Sequence, residues 1–118
     1  MNFVTISQAQ GRIPVTVLEL QGRINLGNTM ELEKTAKQAF DSGARDMLID
    51  MSKAPSLTSA AIRSILVIHK MLSDKDQEKT RHLKLLSPTP HVWKVLEVAG
   101  LLDYIEVFTN LEEAVSSF

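Results

Sequence analysis

The chain predicts an α/β protein: a mixed sheet of about four or five strands, antiparallel at its start and otherwise mostly parallel, covered by about four helices. Three observations carry this expectation. Short β-branched runs alternate with longer stretches whose apolar residues recur at helical spacing. The first two strand-like runs are separated only by the turn signal Gly11 to Pro14, which fits an antiparallel hairpin. The run Met47 to Met51 is nearly continuous in apolar residues, as suits a strand covered on both faces.

The elements follow in order. Phe3 to Ser7 reads as the first strand and Val15 to Leu20 as the second, with Gly22 ending the run and Arg23 to Leu26 as a short extension at the edge. Asn28 suits a helix N-cap, and Glu31 three residues on completes a capping-box pattern. Leu32, Ala36, Ala39 and Phe40 then recur at helical spacing up to a stop at Gly43. After the strand Met47 to Met51, a loop containing Pro55 leads to a second helix from about Ser59 to Leu72. Ser73 to Arg81 is polar and charged, hence a solvated connector. His82 to Leu86 is the next strand. Thr89 caps a third helix with Pro90 at its first position, and Gly100 ends it. Tyr104 to Phe108 is the last strand, and Leu111 to Phe118 a closing helix capped by Asn110.

At 118 residues the chain fits one domain, 1–118, that buries roughly two-thirds of its extended surface without a staple. Hydrophobic residues make up 44% and charged residues 23%, a globular composition. Thirteen basic residues against 14 acidic ones leave no excess to neutralise phosphates, so direct nucleic-acid binding is not expected. The absence of Cys removes disulfides, thiolate metal sites and Cys nucleophiles together. No apolar run approaches the roughly 20 residues that span a bilayer, and the first residues lack a signal-peptide pattern. Cytoplasmic location and no membrane insertion are the expectation.

A search for catalytic chemistry finds little. His69, His82 and His91 form no metal spacing, and there is no nucleophile elbow, Walker A loop or dinucleotide fingerprint. Neither a metal nor a cofactor is expected. Asp50, ending a central strand, either hydrogen-bonds the loop that follows or serves a site at the carboxyl end of the sheet. On helix two, Ala61, Ile62, Ile65, Ile68, His69 and Leu72 make one broad face, directed toward the sheet. Ser59, Arg63 and Lys70 share a polar stripe, flanked by Ala60, Ser64, Val67 and Met71. That strip is either a docking surface or packs against helix one. Trp93, off the core stripe of helix three, is either a contact residue or tucked over apolar neighbours.

The most informative stretch is Leu48 to Leu66, in which Asp50-Met51-Ser52 closes a buried strand and Thr58-Ser59-Ala60-Ala61-Ile62-Arg63 opens a helix. It resembles the STAS domain of anti-sigma factor antagonists. Leu18-Glu19-Leu20-Gln21-Gly22-Arg23-Ile24-Asn25 and the stretch from Leu85-Leu86-Ser87-Pro88 to Glu112-Glu113-Ala114 resemble the same family, in the same order along nearly the whole chain. The resemblance implies a STAS-like fold and a binding module rather than an enzyme. It also implies an anti-sigma factor serine/threonine kinase as partner. Separately from the resemblance, a weak homodimer is left open. In that family the Ser or Thr at the helix start is phosphorylated. Ser59 matches the first Ser of the family's pair, and Thr58 is the second candidate. Ala60 and Ala61 stand where the second hydroxyl and a glycine are usual, and Asn25 where Asp is common. Joined to the strip read from the helical layout, these positions give the candidate partner-binding set Ser59, Ala60, Arg63, Ser64, Val67, Met71 and Asn25. Two alternatives remain: a constitutive adaptor subunit, and a small α/β ligand-binding domain or enzyme using Asp50 with Ser59.

A phosphate at residue 59 makes physical sense. A helix start offers unpaired N–H groups and the positive end of the dipole. The added charge, about −2, would leave the fold intact while turning away a partner matched to a neutral hydroxyl.

Overall fold

The computed structural model describes residues 3–22, 26–73 and 82–118. Five strands, β1 (Val4–Gln10), β2 (Pro14–Gln21), β3 (Met47–Lys53), β4 (Leu83–Leu86) and β5 (Glu106–Phe108), form one sheet in the spatial order 1-2-3-4-5. β1 and β2 pair antiparallel, and every later pair is parallel. The helices are α1 (Leu26–Asp41), α2 (Ser59–Ser73), α3 (Pro90–Val98) and α4 (Leu111–Ser116), with a 3-10 turn at Leu101–Asp103. The mixed sheet with an antiparallel start and four helices is the architecture expected. Residues 74–81 of the expected connector and 23–25 of the expected edge extension lie outside the described residues; Ser73 ends α2, and Leu26 begins α1 rather than ending a strand extension.

Alternation along the strands sorts the core into two layers. Leu18 and Leu20 of β2, Met47, Ile49 and Met51 of β3, and Leu83 and Leu85 of β4 join α1, α2 and α3 in the larger layer. Val15, Val17, Leu48 and Leu86 join Ala114 and Val115 of α4 in the smaller one. On α2 the predicted inner face holds: Ala61, Ile65, Ile68 and Leu72 are buried, with Ile62 and His69 half-buried beside them. Each large side chain on that face stabilises the fold by roughly 1.5–3 kcal/mol.

The start of helix one differs from expectation. The helix begins at Leu26, so Asn28 lies inside it rather than at its cap. Glu31 has other work: its Oε2 accepts a hydrogen bond of 2.8 Å from the Val4 backbone N–H, tying α1 to β1. The caps expected further along are present. Thr89 Oγ1 accepts from the Val92 N–H at 3.3 Å with Pro90 in the first turn, and Asn110 Oδ1 accepts from the Glu113 N–H at 3.1 Å. Gly100, with φ of 80°, makes the left-handed step between α3 and the 3-10 turn that other residues resist.

The smaller layer contains a buried cation. Lys84, on β4, is 4% exposed. Its Nζ donates to the Ser117 carbonyl at 3.0 Å and to Ser117 Oγ at 2.8 Å, with Glu106 Oε1 at 3.7 Å. The Phe118 and Phe108 rings flank it at 4.7 and 5.6 Å. The paired carboxylate, the hydrogen bonds and the two ring faces offset the cost of removing an ammonium from water.

Candidate functional site

The candidate site is built where β3 hands over to α2. Asp50 Oδ1 accepts from the Ser52 N–H at 3.0 Å, fixing the end of the strand. The Lys53 carbonyl accepts from the Gly22 N–H at 3.1 Å, and Lys53 Nζ pairs with Glu19 at 3.1 Å. Ala54 and Leu57 are buried and anchor the loop on both sides of the exposed Pro55. The loop therefore delivers Thr58 to the helix start at a fixed position.

Thr58 is the N-cap. Its Oγ1 accepts from the Ala61 N–H at 3.2 Å, and its carbonyl accepts from the Ile62 N–H at 3.1 Å. Ser59 is the first helical residue and is exposed. The two hydroxyls are thereby divided: that of Thr58 closes the helix, and that of Ser59 faces solvent. The N–H groups of Ser59 and Ala60 belong to the open first turn, which has no intrahelical acceptor for them, and the helix dipole adds positive potential there. Arg63, one turn on, is exposed.

The expected docking strip divides in two. Val67 is 45% exposed and Leu66 40%, while Ala60 is half-buried. Ser64 is not part of an open surface: it is 1% exposed, and its Oγ donates to Glu33 Oε2 at 2.5 Å, with the Thr29 carbonyl at 3.4 Å. The reason is packing, since α1 lies against α2 on this side and the small hydroxyl sits between them. Met71 is half-buried against the larger core layer, so it too contributes little outward surface. Asn25 lies outside the described residues. Trp93 is 40% exposed on α3, away from α2 in the chain.

One outward residue was not anticipated. Ser64 touches the Thr29 carbonyl, so the first turns of α1 run beside α2, and Met30 there is 67% exposed. Its helical neighbours gave no signal, because Met30 reads as an ordinary surface position until α1 and α2 are seen side by side. Asp50 is not brought to Ser59. Strand alternation turns its side chain to the face of Leu48 and α4, and its carboxylate is engaged by the Ser52 N–H. Among the described residues no cluster of three or more His, Asp or Glu could hold a metal ion, and no helix is long and apolar enough to cross a membrane.

The STAS domain family profile matches residues 7–114, and this chain belongs to that family. A curated relative, the candidate anti-sigma factor antagonist BtrV of Bordetella bronchiseptica, is 31% identical over 99 residues, covering 84% of this chain and 82% of BtrV. Among solved structures, a candidate anti-sigma factor antagonist from Thermotoga maritima superposes with a TM-score of 0.83 at 19% identity, covering 97% of this chain and 92% of that one. The anti-sigma factor antagonist SpoIIAA gives 0.76 in its unphosphorylated form, at 18% identity with 96% and 95% covered. The phosphorylated form of SpoIIAA, described as a Bacillus cell fate determinant, gives 0.72 at 16% identity with 97% of both chains covered. At these identities the structures speak for the fold.

Proposed function

We propose that this protein is a cytoplasmic anti-sigma factor antagonist, a binding module rather than an enzyme. It docks on an anti-sigma factor that is also a serine/threonine kinase and is released when Ser59 is phosphorylated. The observation that carries the proposal is the division of labour at the start of α2. The Thr58 hydroxyl is consumed in capping, whereas the Ser59 hydroxyl is exposed and modifiable without disturbing that cap. The names of BtrV and SpoIIAA support the class, and the existence of a phosphorylated SpoIIAA supports the switch.

The docking surface in this reading is Ser59, Ala60, Arg63 and Val67, extended by Met30. Ala60, Val67 and Met30 supply apolar contact around a neutral hydroxyl, with the exposed Arg63 as a charged group at its rim. A phosphoryl group changes that balance. Its two negative charges would be stabilised locally by the helix dipole, by roughly 0.3–1 kcal/mol, and would oppose desolvation by the partner far more strongly.

The test uses a purified candidate anti-sigma factor kinase, with ATP and mass mapping of the product. A single phosphoryl group on Ser59, with at least tenfold weaker binding of the modified form by calorimetry, is the expected result. Ser59→Ala should bind and resist modification. Modification confined to Thr58, or phosphorylation at residue 59 without loss of binding, would refute the switch.

A further inference from the structure

We propose that the outer edge of β1 joins two copies of this chain into a continuous sheet by antiparallel pairing about a two-fold axis at Gln8. β1 is the first strand of the sheet and pairs on one side only, with β2. The hydrogen-bond phase is fixed at one end: the Phe3 carbonyl accepts from the Gln21 N–H at 2.8 Å, so residue 3 faces β2. In an antiparallel ladder every second residue does the same, which turns the N–H and C=O groups of Val4, Ile6, Gln8 and Gln10 outward. The outward Val4 N–H is already held by Glu31, in agreement with this phase. Among the described residues none closes the edge at Ile6, Gln8 or Gln10.

Edge strands are commonly protected by charge or proline. The seven residues of β1, VTISQAQ, contain neither. A second copy therefore meets no like charge when the strand pairs with itself. Because Val4 is taken, the open register runs from residue 6 to residue 10. This sets Ile6 opposite Gln10 of the second copy and Gln8 opposite its own equivalent, with about six hydrogen bonds across the axis.

The space beside the edge fits this occupant. A cleft of about 600 Å³ lies between β1 and α1, with Ile6 and Gln8 on one wall and Thr35, Gln38, Ala39 and Ser42 on the other. Ile6 is 47% exposed in it. Residues opposite each other in an antiparallel pair point to the same face, so the incoming Ile6, Gln8 and Gln10 side chains enter this cleft. Arg45 and Asp46 also line the cleft, but Arg45 is held by the Phe40 and Ala44 carbonyls and Asp46 by His82, and the side chains that enter are neutral. β1 lies two strands from β3, which leads to Ser59, so the pairing leaves the proposed switch open and stands independently of it.

Sedimentation equilibrium from about 10 µM to about 1 mM tests the pairing, since a short ladder gives modest affinity. The weight-average mass should rise toward twice the monomer mass. Gln8→Lys, which sets two cations opposite each other at the axis, should hold the protein at the monomer mass, with a melting temperature lowered by no more than about 4 °C, which loss of the Gln8 Nε2 to Thr16 Oγ1 hydrogen bond accounts for. The chain has no Cys, so Gln8→Cys reads the register directly. Hydrogen-bonded partners have Cα atoms about 5.5 Å apart, within disulfide reach, and oxidation should cross-link them. Ser7→Cys, about 8 Å from its equivalent, should cross-link at least tenfold more slowly. A monomer across the whole range overturns the proposal, as does a dimer that survives Gln8→Lys or cross-links equally through both positions.

Discussion

Replacing Thr58 and Ser59 by alanine one at a time separates the capping hydroxyl from the one proposed to be regulatory. Thr58 Oγ1 accepts from the Ala61 N–H, so Thr58→Ala leaves a first-turn donor without its cap. Such a loss costs about 1 kcal/mol. A chain of 118 residues unfolds with an entropy near 250 cal/mol/K, so the melting temperature should fall by about 4 °C. Ser59 is exposed in the first helical position, and alanine there should change stability by less than about 0.5 kcal/mol, or under about 2 °C. Thermal unfolding followed by far-UV circular dichroism in one buffer measures both. Thr58→Ser should recover most of the loss, because a serine hydroxyl caps as well as a threonine one. A drop for Ser59→Ala equal to or larger than that for Thr58→Ala would refute the assignment. It would mean that the hydroxyl at 59 holds the helix and that modifying it would loosen the fold.

Two further substitutions probe packing, one between α1 and α2 and one under α4. Ser64→Ala removes a buried donor from the Glu33 carboxylate and should destabilise the fold by about 1–3 kcal/mol, measured as a lower urea midpoint with unchanged slope. Gly11→Ala would place a Cβ 2.7 Å from Val115 Cγ1 and 2.9 Å from the Val115 carbonyl oxygen. The backbone oxygen cannot swing aside, so α4 must shift, at a cost of about 1–3 kcal/mol visible as faster amide exchange in residues 111–116.

The fold was legible because each element carried its own signal. Thr89-Pro90 and Asn110 announced their helices, and the core face of α2 followed from a spacing of three and four residues. What local pattern could not supply was anything set by contact between distant segments. Asn28 and Glu31 looked like a capping box, but Glu31 is 27 residues from the Val4 N–H that it serves. For Ser64 the pattern left docking surface and packing against helix one equally open, because its acceptor, Glu33, lies 31 residues earlier on another helix. The candidate phosphorylation position was suggested by resemblance to a family motif. Only the helix start in three dimensions divides the roles of Thr58 and Ser59.

The Lys84 arrangement bears on how this protein can be cut. The ammonium in the middle of the sheet relies on the carbonyl and hydroxyl of Ser117, with a phenyl ring from the next residue over it. Removing Ser117 and Phe118 would take two acceptors and one ring face from this lysine and leave it Glu106 and the Phe108 ring.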